Sequence, residues 1–137
     1  MSEMDEFLNQ PLLARLATLN PDTLQPHVVP VWYVWDGISL WISGFSSTRK
    51  MKELAKNPRC SVIIDVNETQ GGMRAVLLEG EAEVITSPRT LVEEKSTWIY
   101  IRYLGNEGVL AADPQSWIKD PENMLVKLTP ALTKTWK

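Results

Sequence analysis

The chain has 137 residues, 44% of them hydrophobic and 23% charged, which is enough to bury one core and too few for two. A formal net charge of -3 with both signs mixed excludes a nucleic-acid binder that works through a broad basic face, and no apolar run reaches the length of a membrane span. The acidic start "MSEMDEFLNQ" is unlike a secretory leader, so the expectation is one cytoplasmic domain over residues 1–137.

In chain order, residues 3–9 read as a short amphipathic helix that docks Phe7 and Leu8. "LLARLATL" mixes helix formers with strand spacing and runs into the turn cluster "NPDTLQP"; it is read as a strand because the next two runs form a hairpin. "HVVPVWYVWDGISLWIS" is the clearest element, two runs of β-branched and aromatic residues around an Asp36-Gly37 hairpin signal. Val29, Val31, Tyr33 and Trp35 share one face, and Val28, Pro30, Trp32 and Val34 the other. Both faces are apolar, so a helix or a second subunit must cover the outer one. Pro30 lacks an N–H and so belongs at an edge or a break in the ladder.

A helix over 48–56 comes next, presenting Met51, Leu54 and Ala55 to the core and stopping before Asn57-Pro58. "CSVIIDV" is a strand in which Cys60, the only cysteine, reads as a small buried hydrophobe. After the turn "NETQGG", the run "RAVLLEGEAEVIT" alternates, with Val76, Leu78, Gly80, Ala82 and Val84 inward and Glu79, Glu81 and Glu83 outward. Gly80 would let this long strand bend. Ser87 is read as the cap of a helix that has Pro88 first, Leu91, Val92, Lys95, Trp98, Ile99 and Arg102 on one face, and Gly105 as its stop. "MLVKLTPALTKTW" closes the chain as a strand interrupted by Pro130. The sum is a mainly-β α+β fold: six antiparallel strands in a small barrel, with two substantial helices.

A single cysteine and a single histidine, His27, leave no intrachain disulfide and no zinc set. The informative stretch is "SGFSSTRK". A helix N-terminus carries partial positive charge and favours acidic residues, yet this one opens on Arg49 and Lys50. A bound dianion would account for it: first-turn amides, the hydroxyls of Ser43, Ser47 or Thr48, and both cations could converge on a phosphate monoester. A solvated basic face explains the same residues equally well. Six tryptophans, three of them in the hairpin, suit a planar heterocycle or simple packing.

Three stretches resemble the pyridoxamine 5′-phosphate oxidase-related FMN-binding proteins. "PHVVPVWYVWDGISLWIS" is similar to that family's second and third strands, "SSTRKMKELAKNPRCSVII" to its S-R-K-x-x-x-L-x-x-N-P segment, and "VLLEGEAEVI" to its strand with a central G-x-A. The resemblance implies a split β-barrel of FMN-binding type. It implies a phosphate site of Arg49 and Lys50 with Thr48, Ser47 and Ser43 beside them, and a ring lying along Val29, Pro30, Val31 and Trp32, with Ile42 adjoining. It also implies a homodimer with the flavin between subunits. Pyridoxamine oxidases proper carry further cations on the second strand and a C-terminal extension, where this sequence has only His27 and ends at "TKTWK". The implied activity is therefore a generic FMN-dependent oxidoreductase, passing hydride between a donor such as NAD(P)H and a small organic acceptor or oxygen. The alternative is a binding or sensing protein for flavin, deazaflavin F420 or haem. No side chain is an obvious general acid or base.

Overall fold

The computed structural model describes residues 2–67 and 72–137; most of the expected turn at "NETQGG" lies outside them, at residues 68–71. The chain opens with α1 (Glu3–Leu8), whose N-terminus is closed by a reciprocal pair: the Asp5 amide donates to Ser2 Oγ, and the Asp5 carboxylate accepts from the Ser2 amide. Its buried residues are Phe7 and Leu8. The strands are β1 (Ala14–Leu19), β2 (Pro26–Val31), β3 (Val34–Trp35), β4 (Leu40–Phe45), β5 (Arg59–Asp65), β6 (Ala75–Ile85), β7 (Asn123–Leu128) and β8 (Leu132–Trp136). Helix α2 (Arg49–Lys56) joins β4 to β5, while α3 (Arg89–Gly108) and α4 (Ala112–Lys119) join β6 to β7.

Among the described residues there are eight strands rather than six. Both additions come from runs that each read as one strand. The first hairpin strand divides into β2 and β3 at Trp32 and Tyr33, and the last run divides into β7 and β8 around Pro130. The Asp36-Gly37 turn is also longer than two residues: Asp36 Oδ1 accepts from the amides of Ile38 and Ser39, closing a four-residue loop between Trp35 and Leu40.

All strands form one antiparallel sheet in the order β2-β1-β5-β6-β7-β4-β3, with β8 alongside β6. Laid flat, its two edges would be about 29 Å apart, six inter-strand spacings. The link between β2 and β3 is only Trp32 and Tyr33, which spans at most roughly 11 Å. The sheet must therefore curl, and it stays open at this seam. Residue 80 marks the second bend. β6 pairs with β8 over 75–79 and with β7 over 82–85, and the connection between those partners passes over Gly80. A Cβ there would lie 3.2 Å from Thr129 O and 3.2 Å from Ala131 N.

The concave face holds the main core, built from Leu16, Val31, Tyr33, Trp35, Leu40, Ile42, Met51, Leu54, Val62, Ile64, Val76, Leu78, Val126 and Leu128 among others. A second cluster, Val34, Trp41, Val92, Ile99 and Leu125, fills the space between α3 and the other face of β3, β4 and β7. A helix thus covers the outer face of that part of the hairpin, whereas Val28 and Pro30 remain exposed. Two helix faces differ from expectation. In α2, Glu53 is buried and Ala55 is exposed. In α3 the buried residues are Val92, Ser96 and Ile99, and Trp98 is 40% exposed, because Asn123 reaches across to Ser96 Oγ and turns that side inward. Pro88, not Ser87, is the N-cap of α3 and no side chain caps it, while Gly105 breaks the helical path at φ 81°. No helix among the described residues is long and apolar enough to cross a membrane.

Candidate functional site

Residue types that could handle an anionic, planar ligand meet where β2, β4, α2 and α3 come together. A cleft of about 300 Å³ is lined by Leu13, Pro30, Val31, Trp32, Ser43, Lys50 and Tyr100. One wall is aromatic. Trp32 stacks on Tyr103 with centroids 4.8 Å apart and planes 4° from parallel, and it meets Tyr100 edge-on at 5.9 Å. Tyr100 in turn packs against Trp117 at 5.8 Å. The Tyr103 hydroxyl is pinned to the Leu12 carbonyl at 2.7 Å, so the stacked pair is held from both ends. Burial raises the Tyr103 pKa, which keeps its hydroxyl protonated.

The opposite wall is polar. Ser43 Oγ lies 3.5 Å from the Tyr100 hydroxyl. The stem of Lys50 runs across Gly44, where an added Cβ would sit 3.2 Å from Lys50 Cε, so the missing side chain lets the ammonium reach the cleft. Among the described residues no carboxylate lies within ion-pair distance of Lys50. Desolvation lowers its pKa accordingly.

The start of α2 is likewise unsatisfied among the described residues. Thr48 is the N-cap, but its hydroxyl donates backwards to the Phe45 carbonyl at 2.7 Å and no side chain caps the first-turn amides. No acidic residue occupies that turn. These free N–H groups and the helix dipole present positive potential beside Lys50.

Arg49 points elsewhere. Its Nε donates to Glu53 Oε2 at 3.2 Å, and it lines a second depression with Asn20, Pro21, Asp22, Ser47, Lys52, Glu53 and Lys56. Glu53 is itself tied down by the Thr18 hydroxyl at 2.7 Å and by His27 Nδ1 at 3.0 Å. These donors, Thr18 first, hold its carboxyl below the usual range.

Of the residues singled out from sequence, the cleft thus gathers Pro30, Val31, Trp32, Ser43 and Lys50. Ser47 and Arg49 line the neighbouring depression, Thr48 lines neither and bonds back to the Phe45 carbonyl, Val29 packs at the edge of the main core, and Ile42 is inside it. Sequence reasoning does not reach Leu13 and Tyr100. A signal for Tyr100 is present as Tyr-x-x-Tyr in α3, three residues apart and so on one helix face with Tyr103.

Comparisons with known proteins agree on the fold. The family model described as pyridoxamine 5′-phosphate oxidase matches residues 1–137. The Mycobacterium tuberculosis protein Rv2991 superposes with a TM-score of 0.81 at 27% identity, over 100% of this chain and 85% of that one. An F420 reductase gives 0.73 at 23% identity, over 95% and 94% of the two chains. HutZ, the haem storage protein of Vibrio cholerae, gives 0.75 at 17%, over 97% and 92%. Among curated protein sequences, none matches.

Proposed function

The chain belongs to the pyridoxamine 5′-phosphate oxidase family, and from that premise we propose that it is a flavin-dependent oxidoreductase holding FMN, or the deazaflavin F420, in the Trp32–Lys50 cleft. The observation that carries the reading is Lys50: a half-buried ammonium with no carboxylate partner among the described residues, beside an uncapped helix start. Such a group is costly to desolvate unless an anion joins it. Each charge-assisted bond formed there would contribute roughly 1.5–3 kcal/mol.

When bound, the flavin supplies the two-electron hydride chemistry. The residues here supply placement. Lys50, the first-turn amides and Ser43 would hold the anionic end, with Arg49 able to approach from the far side of the turn. Pro30 and Val31 would form the floor along the ring, and Trp32 and Tyr100 would flank it and exclude water. The hydroxyls of Ser43 and Tyr100 line the cleft, placed to donate hydrogen bonds to a ring atom or a small substrate. His27 lies in the Thr18–Glu53 cluster and not in the cleft, so the cleft of one protomer offers a haem iron no imidazole. The reduced donor is proposed to be NAD(P)H and the acceptor a small organic molecule or oxygen. A second copy of the chain is proposed to close the exposed side of the cleft.

Spectral titration under anaerobic conditions tests this. Saturable perturbation of FMN or F420 absorbance is expected, then bleaching on addition of NADPH. Lys50→Ala should weaken FMN binding by about tenfold or more, about 1.4 kcal/mol. A folded wild-type protein that perturbs neither spectrum would remove the flavin reading.

A further inference from the structure

Glu53 is a carboxylate only 4% exposed, on a helix whose other buried residues are Met51 and Leu54. Burying it is expensive unless its oxygens are satisfied, and three elements satisfy them. Thr18 on β1 and His27 on β2 both donate to Oε1, at 2.7 and 3.0 Å, and Arg49 in the first turn of α2 donates to Oε2 at 3.2 Å. The His27 contact requires the ring proton on Nδ1.

Placement makes this cluster more than a local salt bridge. Among the described residues, strand β2 is an edge strand paired with β1 alone, and its far end supplies Pro30 and Val31 to the cleft. Helix α2 supplies Lys50 and the uncapped amides. The strand that would carry a ring and the helix start that would carry its anionic tail are therefore tied together by hydrogen bonds to one carboxylate. Thr18 and His27 are cross-strand partners, so the tie grips β1 and β2 at a single rung.

We propose that Glu53 is a positioning residue, fixing the first turn of α2 against β2 so that the ring-binding and anion-binding halves of the cleft engage one ligand at once. The proposal rests on the flavin reading. A ligand with two recognised parts gains from a fixed spacing, because binding of the first part raises the effective concentration of the second, and a loosened spacing loses that gain without deleting any contact. The carboxylate also anchors the Arg49 side chain at the helix start, where it is about half exposed.

FMN and riboflavin, which share a ring and differ by the phosphate, separate this role from simple stabilisation. Glu53→Ala, with folding checked by circular dichroism, should raise the FMN Kd by about tenfold or more while changing the riboflavin Kd less than about twofold, and Glu53→Gln should recover part of the loss because it still accepts from Thr18. If Glu53→Ala does not fold, Thr18→Val, which removes one tie at nearly constant volume, decides the matter by the same FMN-to-riboflavin split. Equal weakening of both ligands, or no weakening of either, in a folded variant overturns the positioning role while leaving the flavin site standing. Wild-type protein that binds neither FMN nor riboflavin overturns the positioning role, and one that also fails to bind F420 overturns the flavin reading with it.

Discussion

Arg49 and Lys50 are adjacent in sequence but about 100° apart around a helix, and they line different depressions. The residue types at the start of α2 are legible in the sequence because cations there run against the helix dipole; where each one points is not, because that depends on Gly44 beneath Lys50 and on Glu53 beside Arg49. Cys60 shows the opposite case, a residue whose environment can be read directly: it is 7% exposed within a strand, as its apolar neighbours imply. Burial pushes its thiol from 9.0 up to about 11. The folded chain therefore holds this proton more tightly than the unfolded chain does. The stabilisation is complete below pH 9 and fades as pH rises from about 9 to about 11. Urea unfolding of the wild type and Cys60→Ala at pH 8 and pH 10.5 should show the wild-type advantage shrinking by about 2 kcal/mol. An advantage that is constant across this range would mean that the thiol titrates as it does in water.

At the level of elements, periodicity locates most strands because each has one face against a core. β6 carries Val76, Leu78 and Ala82 inward and Glu81 and Glu83 outward, as alternation alone implies. What alternation does not carry is where a run changes neighbours. Nothing in "VVPVWYVW" marks Trp32 and Tyr33 as the place where the chain leaves one sheet edge for the other; closure of the sheet sets it. α4 escapes a sequence reading because Pro114 looks like a breaker, yet in the first turn of a helix its missing N–H has no intrahelical partner to lose. The buried face of α3 is legible in part: Val92 and Ile99 lie on the expected face and are buried, while Ser96 takes the place expected for Trp98, on the side where Asn123 bonds to it. Gly80 is the position where an element-scale expectation can be tested. Its place in a long alternating strand implies a bend, and its neighbours are backbone atoms of the β7–β8 connection, which cannot rotate away as a side chain would. Gly80→Ala should therefore destabilise by about 1–3 kcal/mol, measured by the urea midpoint at unchanged slope. A neutral result would show that the connection shifts freely.

For the whole molecule, the question is what covers the side of the cleft that one protomer leaves open. Leu13 is 43% exposed, Val28 60% and Trp117 37%, and all three border the Pro30–Trp32–Tyr100 region. The same strand is a sheet edge, which in a monomer would be an invitation to uncontrolled pairing. Pro26 and Pro30 remove two donors from it, so a second copy is better placed to cover β2 by side-chain packing than by extending the ladder. A self-complementary contact of this kind buries the same patch on both protomers, so one charged substitution acts twice. If the cleft is completed by that contact, assembly and cofactor affinity must move together. If the proposed dimer forms, Val28→Asp should shift it to monomer in sedimentation equilibrium and raise the FMN Kd by about tenfold or more, because an open cleft would leave one face of the ring in water. Val28 does not line the cleft, so its substitution removes no contact within one protomer. A monomeric Val28→Asp variant that binds FMN as tightly as the wild type would show that each protomer carries a complete site.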